Sequence, residues 1–223
     1  MRIISWNIMR PTVTTKERNQ FFLDTLSNQQ ADIMVLTETN DIINPGEAFS
    51  AAHSLPLSAS FEKFVYKPGE RRVSLYSRYP FGEVFSVSDP YTSVCQELLT
   101  PMGSLIIYAT IIGVTGGKDA RFKTDLAAQQ KDIATLANSN RLCVIGDYNI
   151  SFSGYTYPDK TTRQEFADFL SQNHMELLTG DIPGVPDHIA ISRAFMSDKA
   201  SSHFHDPIDS KISDHGIVGV HLV

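Results

Sequence analysis

The sequence predicts an α/β fold in which two β-sheets pack together and helices flank them. Three observations carry this expectation: short apolar strands that end in polar clusters, helical periodicity in the first part and the middle of the chain, and a strand-rich stretch broken by proline and glycine. A strand is expected over Arg2 to Ile8, and a helix opens near Thr14 with Phe21, Phe22, Leu23 and Leu26 on its apolar stripe. Asp32 to Glu38 follows as a second strand, whose continuous apolar middle suits burial on both faces.

From Ser58 to Ile112 the helical period disappears. The runs Phe61 to Tyr66, Val73 to Tyr76, Phe81 to Val87, Val94 to Leu99 and Ser104 to Ile112 predict a meander of antiparallel strands between proline and glycine turns. Phe122 to Ala137 returns to helical composition, with Leu126, Ile133, Leu136 and Ala137 as its apolar face. Arg141 to Ile145 is a buried strand that runs into Gly146-Asp147-Tyr148-Asn149. A helix starting near Thr161 buries Phe166, Phe169 and Leu170, and strands over Asp187 to Ser192 and Gly216 to Val223 close the chain.

With 223 residues, 42% of them hydrophobic, the chain can bury its own core, and one domain over residues 1–223 is expected. Cys143 sits in the apolar run Leu142-Cys143-Val144-Ile145, where a buried, reduced thiol fits a reducing compartment. The first residues lack the pattern of a secretory signal, and no run approaches the roughly 20 apolar residues of a membrane span. A cytoplasmic location is therefore expected, and no obligate protein partner is indicated. The net charge of −6 excludes a dedicated nucleic-acid packaging role but leaves room for an enzyme that touches a few phosphates.

Five polar clusters each fall at a strand end or just beyond it, where backbones are held rigid and side chains are exposed. They are Trp6-Asn7, Thr37-Glu38-Thr39, Asp147-Tyr148-Asn149, Asp187-His188 and Ser213-Asp214-His215. Taken singly, each has a plain structural reading: an Asp-x-Asn caps turns, and an Asp-His pair is a surface pair of small energetic value. Together they supply carboxylates for a hard cation, an imidazole for phosphate charge and amides to position oxygens, as phosphoryl transfer requires. By strand alternation His188 points away from Asp187 and reads as a packed or surface residue. His203 and His205 lack a further ligand cluster and read as a loop. Lys63, Lys67, Arg71, Arg72 and Arg78, interrupted by Glu62 and Glu70, read as a solvated face.

The ordered set, with the strand and turn Arg72-Val73-Ser74-Leu75-Tyr76-Ser77-Arg78-Tyr79-Pro80 and the closing Ile212-Ser213-Asp214-His215-Gly216-Ile217-Val218, strongly resembles the endonuclease/exonuclease/phosphatase superfamily. The resemblance runs from Ile4 to Val220. It implies a four-layer α/β sandwich, two mixed β-sheets packed face to face with helices on the outside, and a metal site at one end of the sheets. It further implies that Glu38 holds Mg²⁺ or Mn²⁺, with Asn7 near that ion and Asp214 beside it or at a second position. Asp147 would orient or deprotonate the attacking water, Asn149 would bond a phosphate oxygen, and His215, oriented by Asp187, would contact the phosphoryl group. The chain departs from the family in two places: Ile111 stands where many members carry a strand His or Tyr, and Met9 where some abasic-site nucleases place a carboxylate.

The function expected from these residues is a divalent-metal-dependent phosphodiesterase, most simply a nuclease or nucleic-acid end-processing hydrolase. DNA or RNA would be held through Arg71 and Arg72, with Lys118, Arg121 and Lys123 as further phosphate contacts. The alternatives are a phosphatase for a small soluble or lipid-derived phosphomonoester and a catalytically silent binding module of the same fold. Retention of Glu38, Asp147, Asn149, Asp214 and His215 speaks against the silent module.

Overall fold

A computed structural model describes residues 1–58, 60–61, 64–113 and 120–223. The chain runs through β1 (Arg2–Asn7), α1 (Lys16–Gln29), β2 (Ile33–Asn40), β3 (Ser50–His53), a small ribbon of β4 (Ser60–Phe61) and β5 (Phe64–Val65), and β6 (Glu70–Ser77). Next come β7 (Phe81–Val84), β8 (Ser93–Thr100), β9 (Gly103–Ile111), α2 (Ala120–Ala137), β10 (Leu142–Asp147), α3 (Lys160–Gln172) and β11 (Met175–Leu177). The last elements are β12 (Asp187–Ser192), α4 (Arg193–Met196), β13 (Ser201–Asp206) and β14 (Ile217–Leu222).

Two six-stranded mixed sheets result, one in the order β13-β14-β1-β2-β6-β3 and the other in the order β11-β12-β10-β9-β8-β7. Strand alternation explains how they pack. In β1, Ile3 faces the opposite sheet, while Ile4 and Trp6 face outward onto Phe22 and Leu26 of α1. In β9, Ile107, Ala109 and Ile111 face inward, and Ile106 and Tyr108 face outward towards Phe122 and Ile133 of α2 and Phe166 and Leu170 of α3. The layers are helix, sheet, sheet, helix. The parallel pairs β1 with β2 and β9 with β10 are each bridged by a helix, α1 and α2 respectively, as parallel neighbours require.

Several expectations are corrected. The meander is divided: β6 pairs with β2 and β3, whereas β7, β8 and β9 begin the second sheet. Pro80, which has no N–H to donate, stands at the break, and its carbonyl accepts from Leu99. The run expected over Phe61 to Tyr66 falls partly on residues 62 and 63, outside the described residues; its described parts form the ribbon. Phe21 is 40% exposed, so the buried stripe of α1 is Phe22 and Leu26. On α2 the buried set includes Asp125 and Gln129, with Leu126 and Leu136 only half-buried. Gln129 earns burial by bonding, since Oε1 accepts from Thr110 Oγ1 at 2.7 Å and Nε2 donates to Ile111 O at 3.1 Å. His203 and His205 lie on β13, and β3, β11 and α4 are further elements that the sequence reading passes over.

Candidate active site

The polar clusters meet at one end of the two sheets. Asn7 ends β1, and its Nδ2 donates to Asp147 Oδ2 at 3.1 Å across the gap between sheets, while its Oδ1 accepts from Met9 N at 2.9 Å. Asp147 ends β10 directly opposite Asp187 on β12. Asp187 Oδ1 accepts from Ser5 Oγ at 3.1 Å, and Asp187 Oδ2 lies 2.5 Å from His215 Nδ1. His215 is fixed from behind as well: its carbonyl accepts from Trp6 Nε1 at 3.0 Å, and its N–H donates to Ser213 Oγ at 3.2 Å. The Ser213 hydroxyl in turn donates to Asn7 O at 2.8 Å, which ties the last loop to the first strand.

Unusual backbone aims these groups. Gly146 has φ +142, and a Cβ there would lie 1.8 Å from Thr110 O, so the residue before Asp147 has to be glycine for β10 and β9 to approach this closely. Asn149 sits at φ +51, where its N–H donates to Asp147 Oδ1 at 2.8 Å and its Nδ2 to Ile112 O at 3.0 Å. Alternation would put Glu38 on the outward face with Met34 and Leu36; φ +47 turns it aside, and it lines a cavity with Ile111 of the opposite sheet. Met9 and Arg10, at φ +50 and +53, keep the chain against the end of β2, with Arg10 N donating to Glu38 O at 2.8 Å. Left-handed backbone costs non-glycine residues roughly 1–2 kcal/mol each, so this clustering at one place marks a constrained site.

Electrostatics divide the acids from the base. Burial and the facing Asp187 raise the Asp147 carboxyl to about 7, against the pull of His215. Burial opposes charge on His215, but Asp187, Asp147 and Asp214 outweigh it and raise the imidazole to about 10. Burial also raises Glu38, while His215, a hydrogen bond from Asn7 and Arg10 favour its anion.

Asp147, Asp187 and His215 come close enough to suggest a metal cluster. Asp187 and His215 are already bonded to each other, and Asp147 takes its hydrogen bonds from Asn7 and Asn149. Glu38 fits a hard divalent ion better: burial penalises its anion, a penalty that a bound cation would offset, and Asn7 lies beside it, with its Nδ2 now on Asp147 and its Oδ1 on Met9 N. Asp214 lies at the rim, 67% exposed, with Oδ1 3.9 Å from His215 Nε2.

The arginines are engaged. Arg71 pairs with Asp41 and donates to Ser54 O, and Arg72 is buried with Nη2 on Tyr66 Oη at 3.0 Å. Arg78 covers the Phe49 ring yet stays exposed, as does Lys67, so the expected solvated face holds at these two and gives way to anchored guanidinium groups at Arg71 and Arg72. Arg121 bridges Asp89 and Asp125. Lys63 and Lys118 lie outside the described residues. His188 is fully buried, with Nε2 2.9 Å from Ile150 O and Nδ1 3.1 Å from Thr179 Oγ1.

Three residues at the site go unnoticed in the sequence. Ser5 is two positions before Asn7 on the same strand face, and alternation could have found it. Arg10 gives no such signal, because its place depends on the left-handed turn before it. Tyr157 is brought back by a bridge to Ser151, whose N–H donates to Tyr157 O at 2.8 Å. Its phenol is raised by burial and by the carboxylates of Asp147, Asp187 and Asp214.

A fold of two six-stranded sheets between helices, with acids, amides and one histidine at a shared end, is that of a phosphoric ester hydrolase. The chain belongs to the Endonuclease/Exonuclease/phosphatase family, whose model matches residues 4–215. No curated protein sequence matches it significantly. Among solved structures, a 3′ phosphatase from Neisseria bound to a product DNA hairpin is similar at a TM-score of 0.71 and 17% identity, over 100% of this chain and 99% of that one. An AP endonuclease from Archaeoglobus fulgidus gives 0.71 and 12%, over 99% and 98%. The human Nocturnin catalytic domain with bound sulfate gives 0.71 and 17%, over 100% and 93%. At these identities the likeness establishes the fold. No described helix is long and apolar enough to cross a membrane.

Proposed function

We propose that the chain is a divalent-metal-dependent phosphodiesterase acting on nucleic acid, by in-line attack of water on a DNA or RNA phosphodiester. The observation that carries this reading is the continuous chain of contacts from Asn7 through Asp147 and Asp187 to His215, built from both sheets. Asp147, raised to about 7, is poised to take a proton from water near neutral pH. Asn7 and Asn149 hold that carboxylate in place. His215, charged and oriented by Asp187, presents Nε2 to the phosphoryl oxygens and stabilises their growing charge. Glu38, with Asn7 beside it and Asp214 at the rim, would hold Mg²⁺ or Mn²⁺. The ion when bound supplies Lewis-acid polarisation of the phosphate.

Ile111 brings no proton donor to the leaving group. Rates across aryl phosphodiesters are therefore expected to fall steeply as leaving-group pKa rises. The reading is tested with supercoiled DNA, single-stranded DNA, RNA, 3′-blocked ends, bis-p-nitrophenyl phosphate and phosphomonoesters, each with Mg²⁺, Mn²⁺ or chelator. Cleavage of nucleic acid that chelator abolishes supports it. Rapid turnover of a phosphomonoester or inositol phosphate with nucleic acids untouched replaces it with a phosphatase.

A further inference from the structure

Two cavities flank the site, and they differ in kind. On the His215 side the lining includes Pro183, Pro186 and Pro207 with the carboxylates of Asp187 and Asp214, and it contains no arginine or lysine. On the Glu38 side a cavity of about 150 Å³ is walled by Arg10, Tyr66, Arg71 and Arg72, and shares Glu38 and Ile111 with the site. In a chain of net charge −6, this is a local concentration of guanidinium groups beside the reacting centre.

Arg10 is the member built most deliberately. The left-handed pair Met9 and Arg10 brings it against the end of β2, where its Nε and Nη2 lie 3.1 and 2.8 Å from Glu70 Oε2, and Nη2 lies 2.6 Å from Val65 O. Its guanidinium lies over the Tyr66 ring, 4.9 Å from the centroid, and the side chain stays 37% exposed. Glu70, 3% exposed, locks the cation in orientation while leaving part of it accessible. Thr39, also on the wall, is fully buried, and its hydroxyl has no hydrogen-bond partner among the described residues. A ligand oxygen arriving there would relieve that cost.

We propose that the Arg10 cavity is a subsite for a second phosphate of the substrate, the one next to the scissile phosphate along a nucleotide chain, and that Arg10 is its principal contact. The proposal rests on the nucleic-acid reading for the source of that phosphate, but not for the cavity. It gives the cleft a polarity: the anionic neighbour lies towards Glu38, and the uncharged part of the substrate lies towards the proline-lined side.

The test is calorimetric titration of the whole protein, with Mg²⁺ present, by thymidine 3′,5′-bisphosphate and by the 3′- and 5′-monophosphates. One bisphosphate fills both positions in either orientation. It is expected to bind about tenfold more tightly than either monophosphate, the worth of one charge-assisted contact. In Arg10→Gln, verified as folded by its melting curve, the preference is expected to vanish. Should that variant not fold, Arg10→Lys, which keeps the charge but loses the fork that bonds Glu70 and Val65 O, is expected to lower the preference about threefold or more. Equal affinities in the wild type, or an undiminished preference in the folded Arg10 variant, overturn the assignment. myo-Inositol 1,4-bisphosphate in the same titration separates the sources: if it binds tightest, the cavity is a phosphate subsite and the nucleotide assignment is overturned. A bisphosphate preference with no hydrolysis of any phosphodiester overturns the proposed function and leaves the subsite standing.

Discussion

His215 Nδ1 lies 2.5 Å from Asp187 Oδ2, although 28 positions separate the two residues, and the other oxygen of Asp187 is held by Ser5 of the opposite sheet. The imidazole is thereby fixed with Nδ1 protonated and Nε2 facing the cleft.

Asp187→Asn removes the leading interaction that overcomes burial and raises His215 to about 10, and leaves the burial that lowers it. The alkaline limb of the kcat/KM profile is expected to move from near 10 towards neutral pH, with kcat down about 10²- to 10⁴-fold. The pair also contributes stability that is present below the ordinary value of 6.5 and lost as pH rises through about 10. A pH-rate profile with an unmoved alkaline limb would assign that limb to another group.

His188 has the opposite sign. Burial lowers it to about 4, so the folded protein keeps it neutral where the unfolded chain, near 6.5, takes up a proton. Its contribution to stability is present above 6.5 and lost as pH falls through about 4, amounting to about 3 kcal/mol over that window. His188→Gln is expected to flatten the acid slope of urea-unfolding free energy between pH 7 and 4.5, whatever it does at pH 7. An unchanged slope counts against the burial argument.

Gly146→Ala sets a Cβ 1.8 Å from Thr110 O. Since a backbone carbonyl cannot swing away, a loss of about 3 to 5 kcal/mol and of hydrolytic activity is expected. Gly184→Ala, at φ +71 with open space around it, should cost only about 1 to 2 kcal/mol. Thermal melting of the two variants checks the contrast, and equal losses would refute it.

Glu38→Gln keeps the shape and removes the charge. Wild-type protein is expected to gain melting temperature with millimolar Mn²⁺, and the variant to gain none, because a ligand that binds only the folded state stabilises it in proportion to its affinity. Equal shifts would place the ion elsewhere, with the Asp147 and Asp187 pair as the first alternative.

The sequence displayed the parts of the site that stand at the ends of regular strands. Asn7 and Asp147 follow apolar runs and Asp187 opens one, and alternation alone sends all three to the inner face. Glu38 was legible only in position, since its direction comes from a left-handed φ that a single sequence does not announce for a non-glycine residue. Arg10 and Tyr157 arrive through irregular backbone and left no pattern to read. Arg71 and Arg72 were visible as charges, but the partners that anchor them, Asp41 and Tyr66, are 30 and 6 positions away, and pairing at such distances has no local signature. The edge strands β3 and β11 and the polar buried face of α2 were missed for a related reason: they are stabilised by tertiary partners rather than by their own periodicity.

The order of the strands fixes when, as the chain is made, the groups of the candidate site can meet. Asn7, Glu38, Asp147, Asn149 and Asp187 all precede β13 and β14, yet the imidazole sits just before β14, which reaches its place only by pairing with β1. During synthesis from the amino end, a ribosome-held chain that has folded both sheets up to β12 still has no His215 for Asp187 to orient. The Asp187–His215 pair therefore forms only after β14 has docked on β1 and brought the loop before it into place.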